Sequence, residues 1–405
     1  LNIVLFCHPV FMDSQSMPRF TRMLQSAYEA RGHAVTVWSP DDWFYRRFKG
    51  TRLAKWAGYI DQYWLFPRSV RRRLPLTPDD TLFVFCDQAL GPWVPLVRDR
   101  LHVVHAHDLL ALRSALGDLP ENPTRFTGRV YQRYIRRGFQ QARHFISVSK
   151  KTREDLHRFG QIEAVTSEVV YNGLNFPYEP LPRNTAIERL RAAGLPDLPE
   201  GFLLHVGGSQ WYKNQRGVIA LYRHYVAQES NPLSLWCVSP EPDAATAAAV
   251  ARVPARGQVR FLQGIDNPTL QAAYSQARAL LFPSLAEGFG WPLIEAQACG
   301  CPVLTTDEAP MNEVAGDAAL YLPRLRFSDN LEDWASQGAG LLRGLLAELG
   351  ETRDRRAERG RSWVRQFDGE RAIDAYLKIY SLVIECSGRR YTQTNDSSEL
   401  RTDNE

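Results

Sequence analysis

The residues of this chain best placed to do chemistry lie in the run EGFGWPLIE at 287–295. Gly288 and Gly290 let the backbone turn sharply and approach a ligand, and Pro292 suits the first turn of a helix, where its missing N–H would have had no partner. The run predicts a helix that starts near Trp291. The N–H groups at such a start, with the positive end of the helix dipole, make a site for a phosphate or a sugar hydroxyl. Glu287 and Glu295 flank that site. A carboxylate accepts two hydrogen bonds, which suits the vicinal hydroxyls of a ribose or a hexose, so two carboxylates point to two polyol groups. The plainer alternative is a solvated Glu295 and a Glu287 placed only to suit the helix dipole.

Other polar residues carry less by themselves. Lys213, in HVGGSQWYKNQRG, reads alone as a surface lysine. His105 and His107 stand two apart on a predicted strand and share a face, which raises a metal pair, but no third ligand is identifiable and no metal site is assigned. His105 then reads as a packing residue. The six cysteines (7, 86, 237, 299, 301 and 386) form no regular framework. Cys299 and Cys301 have the spacing of neither a zinc knuckle nor a redox pair and read as core residues, which fits a reducing cytoplasm.

Short apolar strands must carry these groups. NIVLF (2–6), AVTVW (34–38), TLFVF (81–85), LHVVHA (101–106) and HFISVS (144–149) alternate with amphipathic stretches, the pattern of parallel βα units. The start, LNIVLFCHPVF, lacks a basic leader and a small-residue cleavage site and reads as the first strand. After the Pro-rich passage YNGLNFPYEPLPRN (171–184), which reads as a linker, the pattern restarts with FLLHVG, LSLWCV, VRFL, ALLFP, PVLTT and ALYL. The expected fold class is α/β with two doubly wound Rossmann-like domains, 1–182 and 183–367, whose ligands bind at the carboxyl ends of the strands, in a cleft between the halves. Ile373, Tyr376, Leu377, Tyr380, Val383 and Ile384 make one stripe of a helix predicted over 368–387, which packs on a core that the sequence does not choose. The polar tail 388–405 reads as disordered.

With 405 residues, 44% hydrophobic and 23% charged, the chain has the composition of a soluble two-domain protein. A net charge of +4 gives no reason to expect nucleic-acid binding. No apolar run is long enough to span a bilayer. The one charge asymmetry is the segment 43–74, with seven arginines and two lysines against Asp61 and a high density of Trp, Tyr and Phe. Such interleaving suits the interface of an anionic membrane, so peripheral contact on the inner face of the cell membrane is expected. The alternative is a solvated helix pair whose aromatics pack on the first domain.

The segment ALLFPSLAEGFGWPLIEAQACGCPVLTTDEAPMNEVAGDAALYLP resembles the signature of the retaining glycosyltransferases of family 4, which have the two-domain GT-B fold. Two glutamates separated by seven residues, with GFG after the first, are its most specific element. VRFLQGIDNPTLQAAYSQARALLFPS resembles the preceding part of that family's second domain, and LLHVGGSQWYKNQRG its strand and turn that present a lysine to the donor diphosphate. The resemblance implies a nucleotide-sugar donor whose ribose meets Glu295, whose sugar meets Glu287 and whose diphosphate meets Lys213. Gly288 and backbone amides around Phe289, Gly290 and Leu293 are implied on sugar and phosphate. VVHAHDLLALRSAL resembles the first-domain strand ending in His-Asp, which implies that His107 faces the donor sugar and Asp108 shapes the turn.

The chain departs from the family at Gly208 and Tyr212, where many members have an arginine, and at DSQSMPRF (13–20), where many have a glycine pair. The expected reaction is transfer to a hydroxyl acceptor, a glycan or a lipid-linked intermediate of cell-envelope polysaccharide or glycolipid synthesis, without cofactor or essential metal because Lys213 and the helix start hold the diphosphate. Two rival readings stand beside it. One is a glycosyl phosphorylase or sugar-phosphate synthase on the same fold, and the other a non-catalytic sugar-nucleotide-binding membrane scaffold.

Overall fold

The computed structural model describes residues 1–11 and 16–399, and in it the alternating runs become two six-stranded parallel sheets. The first sheet holds β1 (Asn2–Phe6), β2 (Ala34–Trp38), β3 (Leu82–Phe85), β4 (His102–Ala106), β5 (His144–Ser147) and β6 (Thr166–Val169) in the order β2-β1-β3-β4-β5-β6. The second holds β7 (Phe202–Val206), β8 (Leu235–Val238), β9 (Val259–Leu262), β10 (Ala277–Phe282), β11 (Val303–Thr306) and β12 (Leu320–Leu322) in the order β12-β11-β10-β7-β8-β9.

Burial on both faces explains why the central strands β1 and β3 are almost wholly apolar. Successive side chains of a strand point to opposite faces, so Val4 and Phe6 join one core with Phe83, Phe85, Trp93 and Phe139, while Ile3 and Leu5 join another with Leu82, Val84, Phe20 and Leu24. The second unit has its own core around Leu203, Leu221, Leu235, Leu281 and Leu304.

The chain divides into two compact units, and the boundaries differ from those the sequence predicts. The first unit comprises Leu1–Leu119, Pro123–Tyr171 and the chain from Glu370 onward; the second comprises Pro120–Asn122 and Asn172–Gly369. The passage after Tyr171 belongs to the second unit instead of acting as a free linker. Leu174 N–H donates to the Phe367 carbonyl at 3.1 Å, and Tyr178 is buried with its ring 5.9 Å from that of Tyr274.

The last helix, Gly369–Glu399, returns to the first unit. Ile373, Tyr376, Tyr380 and Val383 enter the Ile3 and Leu5 core, the Tyr28 hydroxyl donates to that of Tyr380 at 3.1 Å, and Arg31 pairs with Glu370 at 2.6 Å and Asp374 at 3.0 Å. Its backbone stays helical beyond 387, where composition predicts disorder, because extending a helix from packed turns costs far less than nucleating one. Residues 400–405, and positions 13–15 of the divergent first loop, lie outside the described residues; Ser16–Ala30 is helical. Among the described residues no helix is long and apolar enough to cross a membrane.

The aromatic residues of the basic segment divide between core and surface. Phe66 and Val70 sit in the core and the Tyr63 and Tyr131 hydroxyls are 2.6 Å apart, whereas Trp43, Trp56 and Trp64 stay 58%, 65% and 51% exposed.

Candidate active site

In a doubly wound sheet the crevice for a ligand opens where the strand order reverses, at the carboxyl ends of the two central strands. In the second unit the reversal falls between β7 and β10, which pair in parallel. β7 leads through Gly207 and Gly208 to the short turn Trp211–Lys213, and β10 leads through Pro283 to the glycine loop. The two loops are tied together: Leu285 N–H donates to the Tyr212 carbonyl at 2.7 Å, and the Asn214 amide to the Pro283 carbonyl at 3.0 Å.

This topology brings together two residues 74 positions apart. Lys213 Nζ donates to Glu287 Oε1 at 2.7 Å, with side chains only 14% and 8% exposed. Neither is the solvated surface group that each could have been in isolation. The ammonium also lies 4.9 Å from the centre of the Phe282 ring. Gly207 makes room for it, since a Cβ there would stand 3.1 Å from Lys213 Cδ.

The predicted helix is present as Trp291–Ala298. Gly290 opens it at φ +96°, a left-handed conformation that a side chain would strain. Leu293 N–H closes the first turn on the Gly290 carbonyl at 3.0 Å. The Leu293 side chain is fully buried, and the Phe289 ring packs 5.7 Å from that of Phe367. Trp291 Nε1 donates to the Gly173 carbonyl at 3.1 Å, which fixes the start of the helix.

Glu295 is 6% exposed, which excludes the solvated alternative. Burial pushes its carboxyl up to about 7, against the opposing effects of the Tyr274 hydroxyl, which donates to Oε2 at 2.9 Å, and of the Lys213 charge. It can therefore hold either a proton or two hydrogen bonds from a ligand near neutral pH. Tyr274 and His205 are members of this neighbourhood that sequence reasoning missed. His205 Nδ1 donates to the Leu281 carbonyl at 2.9 Å, its buried Nε2 has no partner among the described residues, and burial lowers its pKa to about 4.

In the first unit the strand order reverses between β1 and β3. His8, just past β1, donates from Nε2 to Asp87 Oδ2 at 2.8 Å, and Asp87 Oδ1 accepts the N–H of Ala89 at 3.0 Å. Sequence reasoning missed this pair as well, since no spacing links residues 79 apart. Burial raises the Asp87 carboxyl, but the hydrogen bond and charge of His8, with His107, outweigh it and hold the group below its usual range.

His107 follows β4 and is 9% exposed. Burial lowers its pKa and keeps the ring neutral. Its Nε2 donates to the Cys86 carbonyl at 2.9 Å, so Nδ1 is the accepting nitrogen. Asp108 accepts the Leu110 N–H at 3.0 Å, as a turn-shaping residue does. His105 is fully buried, with Nε2 2.7 Å from the Tyr380 hydroxyl, which is the packing role expected of it. Among the described residues no group of three or more His, Cys, Asp or Glu is arranged to hold a metal ion. Cys299 and Cys301 are buried free thiols.

Comparison with known proteins matches both units. The model of the glycosyl transferases group 1 fits residues 186–363, and that of Glycosyltransferase Family 4 fits residues 17–176. The O-antigen chain mannosyltransferase RfbU of Salmonella typhimurium is 25% identical over 293 residues, 71% of each chain. Among solved structures, WaaG, a glycosyltransferase involved in lipopolysaccharide biosynthesis, superposes with a TM-score of 0.69 at 18% identity, over 93% of this chain and 99% of its own. HepE of Anabaena, in complex with UDP, superposes with a TM-score of 0.67 at 14% identity, over 94% of this chain and 100% of its own, and at these identities both likenesses speak to fold alone. Two doubly wound sheets, the glycine-loop helix with its two glutamates and a family model on each unit lead to one conclusion: this chain belongs to family 4 of the glycosyltransferases, a retaining family with the GT-B fold.

Proposed function

We propose that the enzyme moves a hexosyl group, with retention, from a nucleotide-diphosphate-sugar to a hydroxyl of a glycan or lipid-linked acceptor in cell-envelope polysaccharide or glycolipid synthesis. The observation that carries this reading is the buried Lys213–Glu287 pair beside the helix start at Gly290. An ammonium for diphosphate and a carboxylate for sugar hydroxyls stand within hydrogen-bonding distance of each other. The activities of the relatives, an O-antigen mannosyltransferase and a glycosyltransferase involved in lipopolysaccharide biosynthesis, support the acceptor class. UDP on the HepE structure supports a nucleotide donor.

In this reading the bond from the anomeric carbon to the diphosphate oxygen breaks as the acceptor oxygen bonds to that carbon on the same face. The acceptor's proton passes to the departing phosphate. Negative charge grows on the diphosphate, and the Lys213 ammonium and the dipole of the helix Trp291–Ala298 are fixed in advance to meet it. That arrangement does the work of a divalent cation, so transfer is expected to survive EDTA. Glu287 orients the sugar and offsets positive charge at the anomeric centre, Glu295 holds the ribose, and Gly288 and the amides around Phe289 and Gly290 meet sugar and phosphate. His107 offers Nδ1 to a sugar hydroxyl. The segment 43–74 rests on an anionic membrane surface.

Thermal-shift screening against UDP-, GDP- and ADP-sugars identifies the donor, because a ligand that binds only the folded state raises the melting temperature. Glu287→Ala then lowers turnover, while Glu295→Ala mainly weakens donor binding. Unchanged kinetics in both variants would remove the site assignment. Turnover that requires inorganic phosphate would turn the reading into a phosphorylase, and donor binding without transfer to any acceptor into a scaffold.

A further inference from the structure

Residues 41–72 fold around a groove of about 650 Å³ that donor chemistry does not use. Trp43 and Trp64 line it while 58% and 51% exposed, unusual for the residue with the largest apolar surface to hide. Arg47, Arg68 and Arg72 line it too. Among the described residues none of these three forms an ion pair, whereas Arg31, Arg113, Arg324 and Arg356 elsewhere all do. The Arg68 guanidinium is held 4.0 Å over the Trp64 ring and donates to the Trp64 carbonyl at 2.8 Å, so a cation and an indole are presented as one fixed unit.

Two carboxylates lie on the same lining and neither neutralises the arginines. Asp61 is 1% exposed and its oxygens accept the N–H groups of Phe44 and Tyr45 at 2.8–3.1 Å. Asp41 is exposed and, among the described residues, pairs with no cation. The segment continues outward into more uncovered apolar surface at Leu53, Trp56 and Ile60, which are 56%, 65% and 41% exposed.

We propose that this groove binds the head of one phosphate-terminated lipid, with the arginines on the phosphate and the two indoles against the first part of the hydrocarbon chain. Guanidinium forks match phosphate oxygens geometrically, and indoles pack on methylene chains where water gives way to hydrocarbon. A free phosphate would leave both indoles uncovered. A neutral lipid would leave three guanidinium charges unanswered. The proposal rests on the reading that 43–74 meets a membrane and deepens it, from attraction to a charged surface to a saturable site for one lipid.

Calorimetric titration of the full chain with monomeric dihexanoyl phosphatidic acid tests it. Glycerol 3-phosphate supplies the head without the chains, and dihexanoylphosphatidylcholine the chains with the head charge cancelled. The expected result is one-to-one binding of phosphatidic acid, about tenfold or more tighter than either control, each tenfold being 1.4 kcal/mol. Arg47→Glu, Arg72→Glu and Trp43→Ala each lower that affinity about tenfold with unchanged melting temperature, since all three side chains are exposed. Lys213→Ala leaves it unchanged, which separates the groove from the other phosphate-seeking group.

Equal binding of glycerol 3-phosphate would make this a soluble-anion site, and equal binding of phosphatidylcholine an apolar surface only; either overturns the proposal, as does indifference to the groove variants. Flotation with phosphatidylglycerol vesicles judges the membrane reading separately. A chain that floats but does not bind phosphatidic acid one-to-one keeps that reading and loses the groove. One that binds phosphatidic acid but does not float keeps the groove and loses the surface.

Discussion

Both sheets reverse direction between neighbouring strands, and at both reversals a basic side chain meets a carboxylate: Lys213 with Glu287 in the second unit, His8 with Asp87 in the first. The same topology delivers the same kind of pair, yet the two differ in what they can do. Lysine carries three donors, so on the proposed reading Lys213 gives up Glu287 for a diphosphate. The Asp87 carboxylate, by contrast, is already committed, one oxygen to His8 and the other to the Ala89 N–H. The helix start at Gly290 adds an electropositive end beside Lys213, whereas the turn after Asp87 is capped by Asp87 itself. On the proposed reading one reversal receives an anion, while the other is closed upon its own.

The largest effect that would break this comparison is expected at the second pair. Lys213→Ala or Glu287→Ala should lower turnover by roughly 10²–10³, the scale for losing one electrostatic group at a reacting centre. Either also leaves a largely buried charge without its partner, at a cost of about 3 kcal/mol in urea unfolding. Retained turnover in both would show that the reversal is structural in each unit.

Next in size is the pH dependence centred on Glu295. Its pKa is raised in the folded state, so the stability it contributes is fully present below the usual 4.5 and is lost as pH rises through about 7. Relative to wild type, Glu295→Gln should therefore gain stability over that interval, on the order of 3 kcal/mol. Ribose hydroxyls donate to the ionised carboxylate, so donor affinity in the wild type should rise as pH passes through 7 and stay flat in Glu295→Gln. A flat wild-type profile would detach Glu295 from the donor.

A smaller change is expected at the first pair. The Asp87 pKa is depressed, so its contribution is present above the usual 3.8 and is lost as pH falls below it. Asp87→Asn should cost about 2 kcal/mol at pH 7, the scale for a charged hydrogen bond, with the deficit closing toward pH 3. Thermal shift by the donor should be unaltered, in contrast to Lys213→Ala. Smallest of all, Gly290→Ala should cost about 1 kcal/mol for its positive φ, with Leu293 Cδ1, 3.1 Å from the new methyl, giving way slightly. A melting-curve series across the variants ranks all four.

Much of the fold was legible because runs rich in branched and aromatic residues announce strands, whether largely buried as β1 or half exposed as β2. NIVLF at 2–6, AVTVW at 34–38 and VRFL at 259–262 became strands with those bounds, and the glycine-loop helix starts at Trp291 as Gly290 and Pro292 predict. β6 went unread: TSEV, at the sheet edge and only half buried, has no apolar run to betray it. The helix over 368–387 was legible from its stripe, but its destination was not, since apolar residues declare burial without naming a partner. Of the candidate site, Glu287 and Glu295 stood out as carboxylates flanking a glycine-loop helix start, and the resemblance added their roles and Lys213. Their mutual contact, and that of Glu295 with Tyr274, follow from strand order, which periodicity does not encode. His8 with Asp87 escaped for the same reason.

The return of the last helix has a consequence for how the chain is made. Synthesis proceeds from the amino end, and domains tend to fold as they emerge. The Ile3 and Leu5 face of the first sheet is completed by Ile373, Tyr376, Tyr380 and Val383. The unit made first is therefore the last to be finished, and it must wait with the part of that apolar face not covered by Phe20, Leu24 and Tyr28 open to water while the second unit is translated.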